Sequence, residues 1–177
     1  MGLLRKLFGS ETTTDVLDLL REQHTQIDEL IEQIETKSGN RRALFRELAD
    51  LLAAHATIEE KLFYPAVLAK TTEAQLHEAV EEHLSVKRLL ADMIAGGVDG
   101  EWFESKLTVL KEQLTHHAHR EEEKKLFPKV MGLLSRDERA ALGNEMLVMF
   151  EQLMQSHPYK QVPSETDAPA DLPKLRK

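Results

Sequence analysis

Histidines and glutamates recur together at two places in this chain. His55 and Glu59 lie in "HATIEEKLFYP", and His117 and Glu121 lie in "HHAHREEEKKLFP", so the two members of each pair are separated by three residues. In an α-helix, residues with this separation share one face. Each pair could therefore present an imidazole and a carboxylate to the same cation. The chain contains no cysteine, which excludes a thiolate zinc site, a disulfide framework and cysteine redox chemistry.

A single histidine precedes each of these pairs. His24 comes before the first pair and His83 comes before the second, and the two units repeat after about 60 residues. A repeat of this kind indicates an internal pseudo-twofold arrangement. Two helices from each unit would then contribute side chains to one shared site.

The apolar stripe on the last long helix distinguishes among its three histidines. With about 100° per residue, His117 and Glu121 fall within about 40° of the stripe that starts at Phe103. His116 and His119 fall on the opposite side and are expected to face solvent. This count predicts His117 with Glu121 as the interior pair.

The second phrase is one residue longer than the first, counted from its histidine to its proline. This difference leaves His119 with Glu123 as an alternative pair. Glu122 lies near the edge of the stripe and could substitute for Glu121. The angle of the stripe favours His117 and Glu121.

Interior glutamates indicate a metal site more strongly than interior histidines do. A buried carboxylate costs several kcal/mol unless it is paired or bound to a cation. Carboxylates can bridge two cations while imidazoles bind their outer sides. Mixed nitrogen and oxygen ligands with more than four positions, completed by an oxo or hydroxo bridge, suit iron or manganese, whereas structural zinc prefers a closed tetrahedron. We expect iron, with manganese or zinc less favoured. The predicted metal ligands of two iron ions are His24, His55, Glu59, His83, His117 and Glu121.

Helical periodicity and few aromatic residues predict an all-α, up-down-up-down four-helix bundle with a short fifth C-terminal helix. Asp15 or Thr14 can cap the first helix, and Ser135 can cap the fifth. We expect a flexible N-terminus over 1–13, the bundle with its C-terminal helix over 14–157, and a disordered tail over 158–177. The net charge of −8 argues against a nucleic-acid partner. The sequence shows no transmembrane segment or signal peptide, so a cytoplasmic location is the default expectation.

The ordered series of motifs resembles the hemerythrin-like HHE cation-binding family. It consists of His24, then His55 and Glu59 with "EEKLFYP", then "EEHLSV" around His83, then His117 and Glu121 with "EEEKKLFP". The resemblance covers roughly residues 14–130. It implies a four-helix bundle with a non-haem di-iron centre, and it assigns the family's ligands to the six residues predicted above.

One departure from the family pattern bears on function. Oxygen-carrying members have a second histidine one turn from the first on the third helix, whereas Ala79 and Lys87 flank His83 here. We therefore expect a protein that binds or reacts with O2, peroxide or NO. An iron-storage or iron-donor protein of the iron–sulfur repair type is the alternative, and a reversible O2 carrier is less favoured. Whether the protein is an enzyme, and its oligomeric state, are left open.

Overall fold

The computed structural model describes residues 14–175, and every regular element in that range is helical. The predicted flexible segment 1–13 lies outside the described residues. The elements, in chain order, are α1 (Val16–Glu35), α2 (Arg41–Ile58), a first π-helical segment (Glu59–Phe63), α3 (Tyr64–Val67), α4 (Glu73–Gly96), α5 (Phe103–Leu114), a second π-helical segment (Thr115–Leu126), α6 (Phe127–Leu133) and α7 (Arg136–Ser156). The four long helical rods, joined by short connections, confirm the predicted bundle with a fifth helix.

Polar side chains cap three of these helices: Asp15 at α1, Asn40 at α2 and Ser135 at α7. The Asp15 carboxylate accepts a hydrogen bond from the backbone N–H of Leu17 at 2.9 Å, which satisfies a free donor at the start of α1. Ser135 and Glu138 form a reciprocal capping box at the start of α7. The caps predicted at Asp15 and Ser135 are therefore confirmed.

Each π-helical segment is followed directly by a short helix that has a proline in its first turn. Pro65 stands in α3 and Pro128 stands in α6. A proline cannot donate to a carbonyl of the preceding turn, which favours the wider i→i+5 turn before it. Both π segments lie where the histidine–glutamate phrases occur, so they determine which side chains face the interior.

Much of the bundle core is aliphatic. Leu20, Ile31, Leu48, Leu76 and Leu107 are each at most 1% exposed. α1 packs on α2 and on α7, while α4 packs on α5. This burial stabilises the bundle by roughly 1.5–3 kcal/mol for each large aliphatic side chain.

A glycine allows α7 to cross close to the start of α1. A Cβ atom built on Gly143 would lie 2.0 Å from the backbone oxygen of Thr14 and 2.7 Å from the backbone nitrogen of Val16. No other residue fits at that distance without moving one of the two helices.

The segment after α7 differs from its prediction. Residues 158–175 were expected to be part of a disordered tail, but Pro158 and Val162 are buried against the bundle. We call residues 158–167 the C-terminal strap. The composition of the tail is typical of disorder. Composition alone does not show that Val162 can pack against an apolar surface of the bundle. Within residues 14–175, no helix combines the length and apolar character needed to cross a membrane.

Candidate metal centre

Six buried histidine and glutamate side chains converge where the two π segments face each other. Each of these residues is at most 4% exposed. They come from α1, α2, the first π segment, α4 and the second π segment. The six residues of the cluster are His24, His55, Glu59, His83, His117 and Glu122.

Each carboxylate of the cluster lies between two imidazoles. Oε2 of Glu59 is 3.2 Å from Nε2 of His55 and 3.3 Å from Nε2 of His83. Oε2 of Glu122 is 3.3 Å from Nε2 of His24 and 3.8 Å from Nε2 of His117. A carboxylate in such a position can bridge two cations.

The ligand atoms form two overlapping groups, and within each group they lie within 4.8 Å of one another. One group contains His24, His55, Glu59 and Glu122, and the other contains Glu59, His83 and His117. Because Glu59 belongs to both groups, the arrangement can hold two cations that share one carboxylate.

Three buried atoms of the cluster point to a cation. Oε1 of Glu59, Oε2 of Glu122 and Nε2 of His24 have no aligned hydrogen-bond partner within the described part of the chain. Leaving a buried polar atom unsatisfied costs about 1–3 kcal/mol, and more if the group is charged. A cation bound among these lone pairs would remove that cost, so the residues present fit a metal site.

Each histidine of the cluster is oriented by an acceptor at its other ring nitrogen. A proton on Nδ1 donates outward, which leaves the lone pair of Nε2 directed at the cluster. The Nδ1-to-oxygen distances are 2.7 Å from His24 to Glu123, 2.7 Å from His55 to Gln23, 3.0 Å from His83 to Glu60, and 2.7 Å from His117 to Glu82.

The four acceptors form a closed cycle around the bundle. Gln23 on α1 accepts from His55 on α2, and Glu60 on the first π segment accepts from His83 on α4. Glu82 on α4 accepts from His117 on the second π segment, and Glu123 on that segment accepts from His24 on α1. The sequence analysis did not single out Gln23, Glu60 or Glu82, and it considered Glu123 only as a ligand paired with His119. Each is the immediate neighbour of a cluster residue on its own helix, and that adjacency is the sequence feature that could have identified them.

Tyr64 is a second functional candidate that the sequence analysis missed. Its side chain is fully buried, and its hydroxyl donates to Oε1 of Glu122 at 3.1 Å and lies 3.2 Å from Nε2 of His83. Burial and the neighbouring charges of Glu122 and Glu59 raise its pKa well above the ordinary value. Tyr64 therefore keeps its proton beside the cluster. Its place before Pro65 matches that of Phe127 before Pro128 in the second unit, so only the first unit supplies a hydroxyl.

The structure corrects the prediction of Glu121 as an interior ligand. Its carboxylate lies 2.6 Å from Nζ of Lys125 near the surface, and Glu122 enters the cluster instead. The 100° count assumes an α-helix, whereas Thr115–Leu126 is π-helical, so the residue one turn after His117 is the fifth along the chain. This wider turn explains why "EEEKKLFP" has one residue more than the corresponding part of the first phrase.

The structure brings the other five predicted ligands together and places the remaining histidines of this segment outside. The side chain of His116 is 46% exposed and that of His119 is 33% exposed, as the stripe angle predicted for both. His119 contacts Asp28 and Glu123. The alternative pair of His119 and Glu123 therefore does not enter the cluster, although Glu123 orients His24.

Protons in the metal-free cluster are distributed unequally. Burial opposes the charge of His24, but Glu122 and Glu123 outweigh it and raise its pKa to about 9. Burial and the charge of Glu122 hold the pKa of Glu59 well above its ordinary value. Burial favours the neutral form of Glu122, yet His117 and His24 outweigh it and lower its pKa. In the metal-free cluster these shifts favour the protonated form of Glu59 and a charged pair of His24 and Glu122.

Burial also lowers the pKa values of His55 and His83. Both imidazoles are therefore neutral near pH 7, which is the form that binds a cation.

A four-helix bundle whose core holds four imidazoles and two carboxylates defines a cation-binding helical protein. The chain belongs to the hemerythrin family: residues 15–130 match the family model described as the Hemerythrin HHE cation binding domain.

A crystal structure of a hemerythrin HHE cation binding domain-containing protein from Mycobacterium kansasii is similar to this chain. It has 29% sequence identity and a TM-score of 0.72, and the match covers 84% of this chain and 92% of that one. A protein named DNA nickase from Nostoc sp. (strain PCC 7120) is 24% identical over 143 residues. That match covers 80% of this chain but only 40% of the relative's length.

Proposed function

We propose that this chain binds two iron ions in its His/Glu cluster and reacts there with O2, peroxide or NO. The observation that carries the proposal is the pair of overlapping ligand groups that share Glu59. Four imidazoles and two carboxylates provide the mixed nitrogen and oxygen ligation that suits iron, and they exceed the four ligands of a structural zinc site.

Bound iron would supply Lewis acidity and electrons for redox chemistry. The chain contributes the surroundings. The Nε2 lone pairs are aimed by the four outer acceptors, and the hydroxyl of Tyr64 holds a proton within 3.2 Å of the cluster. A proton donor at that place favours reaction over reversible carriage, since a carrier must avoid protonating its bound ligand.

The space beside the cluster supports a small ligand. A cavity of about 30 Å³ adjoins the imidazoles of His24, His55, His83 and His117. That volume accommodates about one or two water-sized molecules. Lys87, beside His83, points to Glu60 rather than to the cluster, so α4 contributes a single imidazole.

An iron-donor function is the alternative, and one feature favours it. Glu82 contacts the buried His117 through one carboxylate oxygen and the half-exposed His116 through the other. This carboxylate connects the cluster to the surface, as an exit route for a cation would require. The chain spans 40% of the Nostoc protein, and its charge of −8 opposes DNA binding, so the likeness to that protein does not support a nickase activity.

Metal content and ligand reactivity test the proposal together. Protein reconstituted with ferrous iron under argon should contain about two irons per chain, and it should oxidise within seconds on mixing with O2 without a long-lived oxygenated form. A stable absorption spectrum that reverses when oxygen is removed would restore the carrier function. Slow oxidation without peroxide turnover or NO binding, combined with rapid loss of iron to a chelator, would favour the donor function. A single zinc that iron cannot replace would overturn the di-iron proposal.

A further inference from the structure

The C-terminal strap forms part of the wall of the cavity beside the cluster. Among the described residues that line this cavity, Val162 is the one that comes from the strap, and it is 1% exposed. Much of the remaining lining is aliphatic, and it includes Ile27, Leu52, Val86 and Leu90. Val162 thus lines the same cavity as the four imidazoles of the cluster.

The beginning of the strap is fixed to α2. Oδ2 of Asp50 lies 2.9 Å from Nδ1 of His157, and Oδ1 accepts a hydrogen bond from the backbone N–H of Tyr159 at 3.2 Å. Asp50 is 7% exposed, so both interactions are partly protected from water. This anchor positions the strap immediately before Val162.

The end of the strap is fixed to α4. The guanidinium of Arg88 donates to the backbone oxygens of Thr166 at 2.8 Å and Asp167 at 3.2 Å. Nζ of Lys87 lies 3.1 Å from the carboxylate of Glu165 and 2.8 Å from that of Glu60. Because the chain is bound to α2 before Val162 and to α4 after it, the position of Val162 at the cavity is fixed from both sides.

The wall of the cavity carries little uncompensated charge. The ammonium of Lys87 is balanced by Glu60 and Glu165, and the carboxylate of Asp28 lies 2.8 Å from Nε2 of His119. Nine of the fifteen lining side chains are aliphatic. A wall of this kind admits small neutral molecules and offers a larger or charged molecule no replacement for its hydration. The strap lies beyond residues 15–130, which match the family domain, so the family match does not account for this closure.

We propose that Val162 is a specificity-determining residue: held by the strap, it limits access to the cluster to neutral molecules of two or three atoms. The inference rests on the proposed function, in which the cluster binds a small ligand. It also makes a claim about the cavity itself, and that claim can be tested on the metal-free chain.

Xenon binding to the metal-free, full-length protein tests the closure directly, because xenon is neutral and enters small apolar cavities. Methyl resonances of Ala53 and Ala118, which line the cavity, report its occupancy. Val162→Ala should raise xenon affinity at least about threefold, because it removes two methyl groups from the wall. Val162→Phe should abolish binding. The matched control is Val148→Ala on α7, where the side chain is 57% exposed.

Release of the strap tests the same claim without enlarging the cavity. Arg88→Ala should increase amide hydrogen exchange of residues 162–167 at least about tenfold and should accelerate xenon exchange. Lys111→Ala is the control, because Lys111 on α5 forms a partly exposed ion pair with Glu35 on α1 and does not contact the strap. Faster amide exchange with unchanged xenon exchange would show that the strap does not govern entry.

Iron-loaded protein separates this inference from the proposed function. Val162→Ala should accelerate azide binding to the ferric form by at least about tenfold and NO binding to the ferrous form by less than about threefold. If no variant and no wild-type sample binds either probe, the proposed ligand function fails, while the xenon measurements still decide whether Val162 closes the cavity. Equal xenon affinity in Val162→Ala, Val148→Ala and the wild type would overturn the inference.

Discussion

Loading the cluster with a divalent cation near pH 7.5 should release protons from two of its residues. One proton comes from His24, whose pKa of about 9 leaves it almost fully protonated at that pH. The other comes from Glu59, whose pKa is held well above its ordinary value by burial and by the charge of Glu122. Both groups must lose their protons before their lone pairs can bind a cation.

The release of these protons sets the pH dependence of metal affinity. Between about pH 6.5 and 8, each unit increase in pH should strengthen the apparent binding constant for the loaded pair by at least about tenfold, or about 1.4 kcal/mol, because of His24, and Glu59 adds to this dependence wherever it is still protonated. Above pH 9 the contribution of His24 should disappear, because His24 is then neutral before metal arrives. The sign follows from the raised pKa values: protons compete with metal wherever the metal-free cluster still holds them.

Isothermal titration of the metal-free protein with manganese(II), repeated in buffers of different ionisation enthalpy, counts the released protons. Manganese is a weaker Lewis acid than the later divalent metals, so its bound water contributes little to the count. Glu59→Gln, which has no ionisable proton at position 59, should release one proton fewer than the wild type. Glu121→Gln is the matched control and should release the same number as the wild type. Equal proton release from Glu59→Gln and the wild type would refute the reasoning.

Three further substitutions test separate contacts. Glu122→Gln should weaken metal binding at least about 100-fold, whereas Glu121→Gln should bind as the wild type does; equal loss in both, by elemental analysis, would contradict the π-helical register. Tyr64→Phe should lower the free energy of unfolding of the metal-free protein by about 1–3 kcal/mol in urea, because Oε1 of Glu122 loses its donor; an unchanged value would show that water replaces the hydroxyl. Gly143→Ala should destabilise by about 1–3 kcal/mol or more, because its Cβ would meet the Thr14 carbonyl at 2.0 Å, and Gly132→Ala, where a Cβ meets nothing within 4 Å, is the control.

Helical periodicity was sufficient to predict the bundle and most of the residues that enter its core. His55 and Glu59 follow the α-helical angle because α2 remains α-helical up to Ile58. His117 also follows it, since the π segment has only just begun at Thr115. The count failed at the next turn, where an i→i+5 segment places Glu122 rather than Glu121 inside. The extra residue before Pro128 was visible in the sequence, but it was interpreted as an ambiguity between histidines rather than as a wider turn.

The acceptors around the cluster could not be predicted from the period of any single helix. Gln23 and Glu82 each serve a histidine on another helix, so their role depends on how two helices meet. The strap was missed for the same reason. Val162 is buried because a cavity in the bundle lies opposite it, and neither its own sequence neighbours nor the tail composition contains that information.

The closed cycle of acceptors has a consequence for the order in which the protein matures. Every imidazole of the cluster is oriented by a helix other than its own, so none is aimed until its neighbour has docked. A nascent chain, or an isolated half of the repeat, therefore lacks the geometry to capture a cation tightly. We expect the polypeptide to reach its native topology first and acquire metal second, so the supply of the metal would control how much protein is loaded rather than how much protein folds.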